Sequence, residues 1–231
     1  MINIKDCWMK DVCKDTCDSQ VCIKLYKLNY LYEEAGVSLS MRRDIALRID
    51  KDNSDLKAFQ KLKSIQNNIV NFVKDGRQLY IHSKQAGNGK TSWAIKLLNE
   101  YINNIWENSP LICRALFINV PYFLLALKDN ITTKSSYIQH IKENILKCDL
   151  VVWDDVGTKA ATTYEAENLL SMIDGRINGG KSSIFTSNLN DEELHLALGD
   201  RLYSRICNLD YNIEFVGGDK RFLSTSNKEI K

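Results

Sequence analysis

The clearest chemistry in this sequence sits in Ser83-Lys84-Gln85-Ala86-Gly87-Asn88-Gly89-Lys90-Thr91. A phosphate chain is held by backbone N–H groups turned inward, the positive end of a helix dipole, a lysine, and a hydroxyl that reaches a magnesium ion. Gly87 and Gly89 let such a loop close, Lys90 supplies the cation and Thr91 the hydroxyl. Ala86, Asn88 and Ser92 complete the backbone around them. The spacing is that of a P-loop with one departure. The first glycine of the pattern, five residues before Gly89, is Lys84 here, which is tolerable if that residue keeps a negative φ.

Two carboxylates follow about sixty residues later in Leu150-Val151-Val152-Trp153-Asp154-Asp155. An apolar strand ending in paired acids is costly unless the acids meet solvent, a cation or hydrogen-bond donors. Beside a P-loop, Asp154 is placed to hold Mg²⁺, and Asp155 to orient an attacking water as general base. A third stretch, Ser183-Ile184-Phe185-Thr186-Ser187-Asn188, ends in an amide that could position that water, although Asn after a strand is more often a turn former. In Gly199-Asp200-Arg201-Leu202-Tyr203-Ser204-Arg205 the two arginines share one helix face. They are either solvated charges or guanidinium groups offered to a neighbouring subunit's γ-phosphate. Gly217-Gly218-Asp219-Lys220-Arg221 puts a further cation, Arg221, after a glycine turn.

Those residues need a sheet edge to gather them, and the hydrophobic periodicity provides one. Strands are expected at Gln78–His82, Ala115–Val120, Leu150–Trp153 and Ser183–Thr186. Helices are expected at Thr91–Trp106, Phe123–Leu127, Ile138–Leu146, Tyr164–Ile177 and Glu192–Leu198. This alternation implies right-handed crossovers and a parallel sheet covered on both faces. Upstream, Leu56, Phe59, Leu62, Ile65, Ile69 and Val73 recur at helical spacing up to Gly76, and an apolar-rich helix from Ile23 stops near Gly36. The polar run Asp50–Asp55 reads as a linker. It divides an N-terminal module, residues 1–54, from a nucleotide-binding domain, residues 55–231.

Composition narrows the function classes. The 231 residues carry 31 basic and 29 acidic side chains, a net charge of +2, so bulk charge does not hold the chain to DNA or to a membrane. The longest apolar run, Tyr122–Leu127, is too short to span a bilayer. The opening residues have no apolar stretch of signal-peptide length, from which a cytoplasmic location is expected. Seven cysteines are present. Cys113, Cys148 and Cys207 sit singly among apolar residues and read as core thiols. Cys7, Cys13, Cys17 and Cys22 crowd together at spacings close to those of a structural zinc site, and zinc, an iron–sulfur cluster and free thiols all stay open for them.

In their order and spacing the stretches GNGKT, VVWDDVG, TSN, GDRLYSRI and GGDKR resemble the DnaC/DnaI-type replicative helicase loaders of the AAA+ ATPases, over roughly residues 55–225. The resemblance implies an α/β P-loop core with a five-stranded parallel sheet and no sizeable C-terminal lid, since only ten residues follow Arg221. It implies ATP and Mg²⁺ as ligands and slow hydrolysis stimulated by partners. Lys90 and Thr91 match Walker A, Asp154 and Asp155 Walker B, Asn188 sensor 1 and Arg221 sensor 2. Arg205 matches the arginine finger, with Arg201 its neighbour. Asp155 stands where many AAA+ proteins carry Glu, which suggests slow turnover. The partners implied are a DnaB-type ring helicase gripped by the small α-rich, Cys-containing N-terminal module, sometimes built around zinc in such loaders, together with single-stranded DNA and further copies of the chain in an open ring or spiral. The DNA would face Lys128–Lys147, where Lys128, Lys134, Lys142, Lys147, Ser135 and Ser136 suit phosphate contact, although a solvated helix face explains the same residues.

Overall fold

The computed structural model describes residues 7–9, 22–42, 47, 54–158, 161–207 and 211–220. Cys13, Cys17 and Arg221 lie outside these residues, as does most of the linker Asp50–Asp55. Five parallel strands form one sheet: β1 (Gln78–His82), β2 (Ala115–Asn119), β3 (Leu150–Asp154), β4 (Ser182–Ser187) and β5 (Tyr211–Glu214), in the order β2-β3-β4-β1-β5. The β3–β4 and β1–β4 pairings bring the C-terminal ends of three central strands together. Loops leaving those ends carry the phosphate and magnesium candidates, as expected of an open parallel sheet.

Among the described residues there are eight helices: α1 (Ile23–Glu34), α2 (Leu56–Asn67), α3 (Ile69–Lys74), α4 (Lys90–Ile105), α5 (Val120–Asp129), α6 (Ser136–Asn144), α7 (Thr163–Asn178) and α8 (Asp191–Cys207). Successive strand residues face opposite ways, and the core divides accordingly. Leu79, Ile81, Leu150, Val152 and Ile184 pack under α1–α4, whereas Tyr80, Val151, Trp153 and Phe185 pack under α5–α8. No helix among the described residues is long and apolar enough to cross a membrane.

Two details depart from the sequence-based expectation. The run from Leu56 to Val73 is two helices, broken at Asn68, whose backbone (φ −126°, ψ 27°) leaves the helical region. The apolar rhythm survives because both pieces bury their face in the same core. Leu56 itself is exposed. The eighth helix extends past Leu198 through a bend at Gly199, so Arg201 and Arg205 lie on its second half. The four strands placed by pattern are joined by β5, the fifth strand that the resemblance implies, an edge strand in which only Ile213 is buried.

The segment preceding the linker packs directly on this core. Leu28, Leu31 and Tyr32 of α1 are buried in it, and Phe117 N of β2 donates to Ala35 O at 2.8 Å. Arg42 donates to Val37 O and Asn29 Oδ1, and Asn99 of α4 reaches Met41 O at 2.7 Å.

Candidate nucleotide site

Sharp turning is demanded of the loop between β1 and α4, and two glycines provide it. Gly87 (φ 77°) and Gly89 (φ 105°) occupy backbone space that side chains with a Cβ rarely adopt. Lys84 does not: among the described residues Asp155 is the only non-glycine with positive φ. The missing first glycine of the pattern is therefore no obstacle to the loop. Lys90 is buried at the start of α4, its ammonium donating to Gln85 O (2.8 Å) and Asn88 Oδ1 (3.0 Å). Asn88 is in turn held by Ser83 Oγ at 2.6 Å. The loop thus forms a ring around its own lysine, with the α4 dipole behind it.

Across the cleft the two carboxylates are organised by β4. Thr91 Oγ1 donates to Asp154 Oδ1 at 2.8 Å, and Thr186 Oγ1 donates to the same oxygen at 2.7 Å. The Thr186 hydroxyl also accepts from Asp155 N at 3.0 Å. Asp155 takes φ 59° immediately after β3, a strained conformation for a non-glycine residue and one that clusters at functional sites. The turn swings its carboxylate to Asn188, whose Nδ2 donates to Asp155 Oδ1 at 2.8 Å. Burial and the neighbouring Asp154 charge raise the Asp155 pKa above the ordinary carboxylate value, against the opposing pull of Lys90 and the Asn188 hydrogen bond.

Ala86, Gly87, Asn88, Gly89, Lys90, Thr91, Ser92, Asp155 and Asn188 line one cleft of about 310 Å³. The residues fit a magnesium-bound triphosphate: a buried ammonium, a loop of backbone N–H groups, a hydroxyl already paired with a carboxylate, and a second carboxylate beside an amide. Thr91 and Asp154 would hold the magnesium ion. Arg201 and Arg205 do not line the cleft. Both are exposed, and Arg205 Nε lies 2.6 Å from Asp174 Oδ1 of α7.

Sequence reasoning missed the residues that brace the site. Thr186 is one of four hydroxyl residues in β4, beside Ser182, Ser183 and Ser187, and nothing in the sequence singles it out. Asp55 has no signal either. It precedes α2 without capping it, because its fully buried carboxylate is turned elsewhere. Oδ1 accepts from Val216 N (2.8 Å) and Gly217 N (3.0 Å), and Oδ2 from Lys220 Nζ (3.1 Å). Lys220 N then donates to Gly87 O at 2.9 Å. The segment 215–220 is thereby strapped onto the phosphate loop, so closely that a Cβ on Gly87 would overlap the Asp219 carboxylate.

With that geometry in place, comparison with known proteins decides the family. The family described as IstB-like ATP binding protein matches residues 44–208. The chain belongs to this family. A curated relative, the replicative helicase loader DnaC of Escherichia coli K12, is 25% identical over 154 residues, covering 67% of this chain and 57% of the relative. The chain therefore spans little more than half the length of the curated relatives it matches. Among solved structures, the DnaC helicase loader has a TM-score of 0.59 at 19% identity, covering 73% of this chain and 93% of that one. DnaI has a TM-score of 0.57 at 23% identity (79% and 92%). Domain III of the Thermotoga maritima replication initiation protein DnaA has 0.57 at 20% identity (83% and 68%). The fold is thus that of the DnaC-like AAA+ proteins, in an IstB-like ATP-binding chain.

Proposed function

We propose that this protein is an ATP-switched loader that binds a DnaB-type replicative ring helicase and places it on single-stranded DNA. The observation that carries the reading is the linked set Thr91–Asp154–Thr186–Asp155–Asn188 facing a loop that encloses Lys90. Bound magnesium would neutralise charge developing on the γ-phosphate and its leaving oxygen. Lys90 binds the phosphates, and Asn188 holds the Asp155 carboxylate toward the cleft, where it orients water and takes its proton. The raised Asp155 pKa makes that carboxylate a stronger base than an ordinary aspartate. Arg205, on the surface and tied to Asp174, is the group available to a neighbouring copy's γ-phosphate in an open ring or spiral, with Arg201 beside it. Arg221 is proposed as a further phosphate contact beyond the strapped segment.

Residues 1–54 are proposed as the helicase-gripping module, with residues 55–231 as the ATPase domain. Cys7, Cys13, Cys17 and Cys22 are its proposed zinc ligands. Cys22 Sγ caps α1 by accepting from Leu25 N at 3.4 Å, a bond that a metal-bound thiolate also makes. For DNA, Lys128 on α5, Lys134 in the loop after it, Lys142 on α6 and Lys147 just beyond are all exposed, and exposed Tyr122 packs against Tyr137. Cations interleaved with aromatics suit a single strand held without sequence preference. Ser135 is already used, since its hydroxyl accepts from Ile138 N at the start of α6.

The family match favours one second reading, a transposon helper ATPase that works on duplex DNA. Co-purification separates the two. A loader retains a DnaB-type helicase with ATP and transfers it to single-stranded DNA. Preference for duplex DNA in gel shift with no helicase retained supports the helper ATPase, and negligible turnover with every partner present reduces the chain to a nucleotide-binding adaptor.

A further inference from the structure

A second group of donors lies at the opposite end of the sheet, where β2 and β3 begin. Glu34 at the end of α1, Cys113 just before β2 and His140 in α6 each offer one ligand atom, all within 4.8 Å of one another. Cys113 is buried, and the Glu34 and His140 side chains are about one-third exposed. His140 Nε2 lies 2.8 Å from Glu34 O. A carbonyl oxygen only accepts, so Nε2 carries the hydrogen and the lone pair of a neutral ring is on Nδ1. That Nδ1 lies 3.9 Å from Glu34 Oε2, with Asn144 Nδ2 at 3.4 Å. Two lone-pair donors thus approach each other across a gap, and the remote imidazole N–H is fixed by a backbone carbonyl, as in metal-ligating histidines.

We propose that Glu34, Cys113 and His140 form a zinc site, with water in the fourth position. Thiolate, imidazole and carboxylate together are a zinc donor set. One thiolate and one carboxylate balance the ion's two charges, and binding displaces the Cys113 proton. With Zn–S of about 2.3 Å and Zn–N or Zn–O of about 2.1 Å, tetrahedral ligands sit roughly 3.3–3.7 Å apart, so closure asks for inward shifts of about 1 Å. Cys113 Sγ, now 3.3 Å from Ala115 O, 3.6 Å from Glu34 O and hydrogen-bonded with the Cys148 thiol, exchanges these bonds for the metal. The ion would join the C-terminal end of α1 to α6 and to the start of β2, stapling the N-terminal segment to the core far from the nucleotide. Neither the ATPase reading nor the four N-terminal cysteines enter this inference.

The test uses the full chain, loaded with Zn²⁺, desalted and assayed for bound metal, alongside Cys13→Ser/Cys17→Ser, Cys113→Ser, His140→Gln and Glu34→Gln. One zinc per chain should survive in Cys13→Ser/Cys17→Ser and fall toward zero when Cys113→Ser or His140→Gln is added to it. In Cys13→Ser/Cys17→Ser, cobalt in place of zinc should give sulfur-to-metal charge-transfer absorption that adding Cys113→Ser removes. Because Cys113 is buried, the partly exposed Glu34→Gln guards against misfolding. Zinc should raise the melting temperature of Cys13→Ser/Cys17→Ser, and the rise should shrink when Glu34→Gln is added. No zinc in Cys13→Ser/Cys17→Ser, or zinc and cobalt signals unchanged by the Cys113, His140 and Glu34 substitutions, would overturn the site. Nucleotide binding is read separately, so either outcome leaves the ATPase proposal standing or falling on its own.

Discussion

Asp155 concentrates the chemical logic of the nucleotide site. It is held in left-handed backbone geometry, hydrogen-bonded by Asn188, and sits close enough to the Asp154 carboxylate for that charge to raise its pKa against the pull of Lys90. A carboxyl whose folded pKa is raised is harder to ionise in the folded chain than in the unfolded one. Its ionised form therefore lowers stability above the folded pKa, and that penalty vanishes as pH falls through it. Asp155→Asn should accordingly abolish ATP hydrolysis while raising the melting temperature at neutral pH in magnesium-free buffer, with the gap to wild type closing as pH falls. A lower neutral-pH melting temperature would mean that the lost hydrogen bonds outweigh the relieved repulsion. Hydrolysis by the wild type should lose its base on the acid side at a pH above the ordinary aspartate value of about 3.9. Arg205 belongs to a different chemistry. Its exposed pair with Asp174 contributes little stability, so Arg205→Ala should leave melting and ATP binding unchanged and cut partner-stimulated hydrolysis, by about 10³-fold if it acts as an arginine finger. Full stimulated activity in Arg205→Ala excludes the role in trans.

Among the elements, the β1–α4 loop and the end of β3 were legible because their chemistry is local: glycines, a lysine and a hydroxyl within a few residues, and two acids closing an apolar run. What was not legible came from pairing across the sheet. Thr186 matters because β4 lies beside β3, which places its hydroxyl between Asp154 and the Asp155 backbone. Asp55 matters because the chain returns after β5 and presents Val216 N, Gly217 N and Lys220 to it, 161 to 165 residues later. No periodicity records such a contact, and the sequence alone presents Asp55 as a linker residue. The strap it anchors ends on Gly87 O, which ties the start of α2 to the phosphate loop. Asp55→Asn keeps the size of the side chain but removes the charge that Lys220 and two N–H groups share. It should weaken nucleotide affinity several-fold with little change in turnover at saturation, measured as Kd and kcat. Unchanged affinity would show the strap to be only structural. The break at Asn68 leaves no mark in the sequence for the opposite reason, since both helices bury the same face and the apolar rhythm runs through it.

For the molecule as a whole, fold class was readable because both-face burial forces continuous apolar strands between amphipathic helices, and Leu150-Val151-Val152-Trp153 is buried throughout. Strand order and the edge strand β5 were not, because neither leaves a mark in local pattern. The sheet separates two regions: its C-terminal edge carries the phosphate cleft, and its N-terminal edge carries Cys113 and His140 beside Glu34 at the end of α1. Such a layout would let the proposed helicase-gripping module and the proposed ATP site occupy one chain without competing for surface. The loader reading depends on the cleft taking up nucleotide. The direct measurement is a titration of the folded full chain with a fluorescent ATP analogue and Mg²⁺, alone and with a DnaB-type helicase, beside Lys90→Ala checked for folding by circular dichroism. Saturable one-to-one uptake by the wild type, lost in Lys90→Ala, is the expected result; no uptake by the folded wild type in either setting would overturn the assignment of the site.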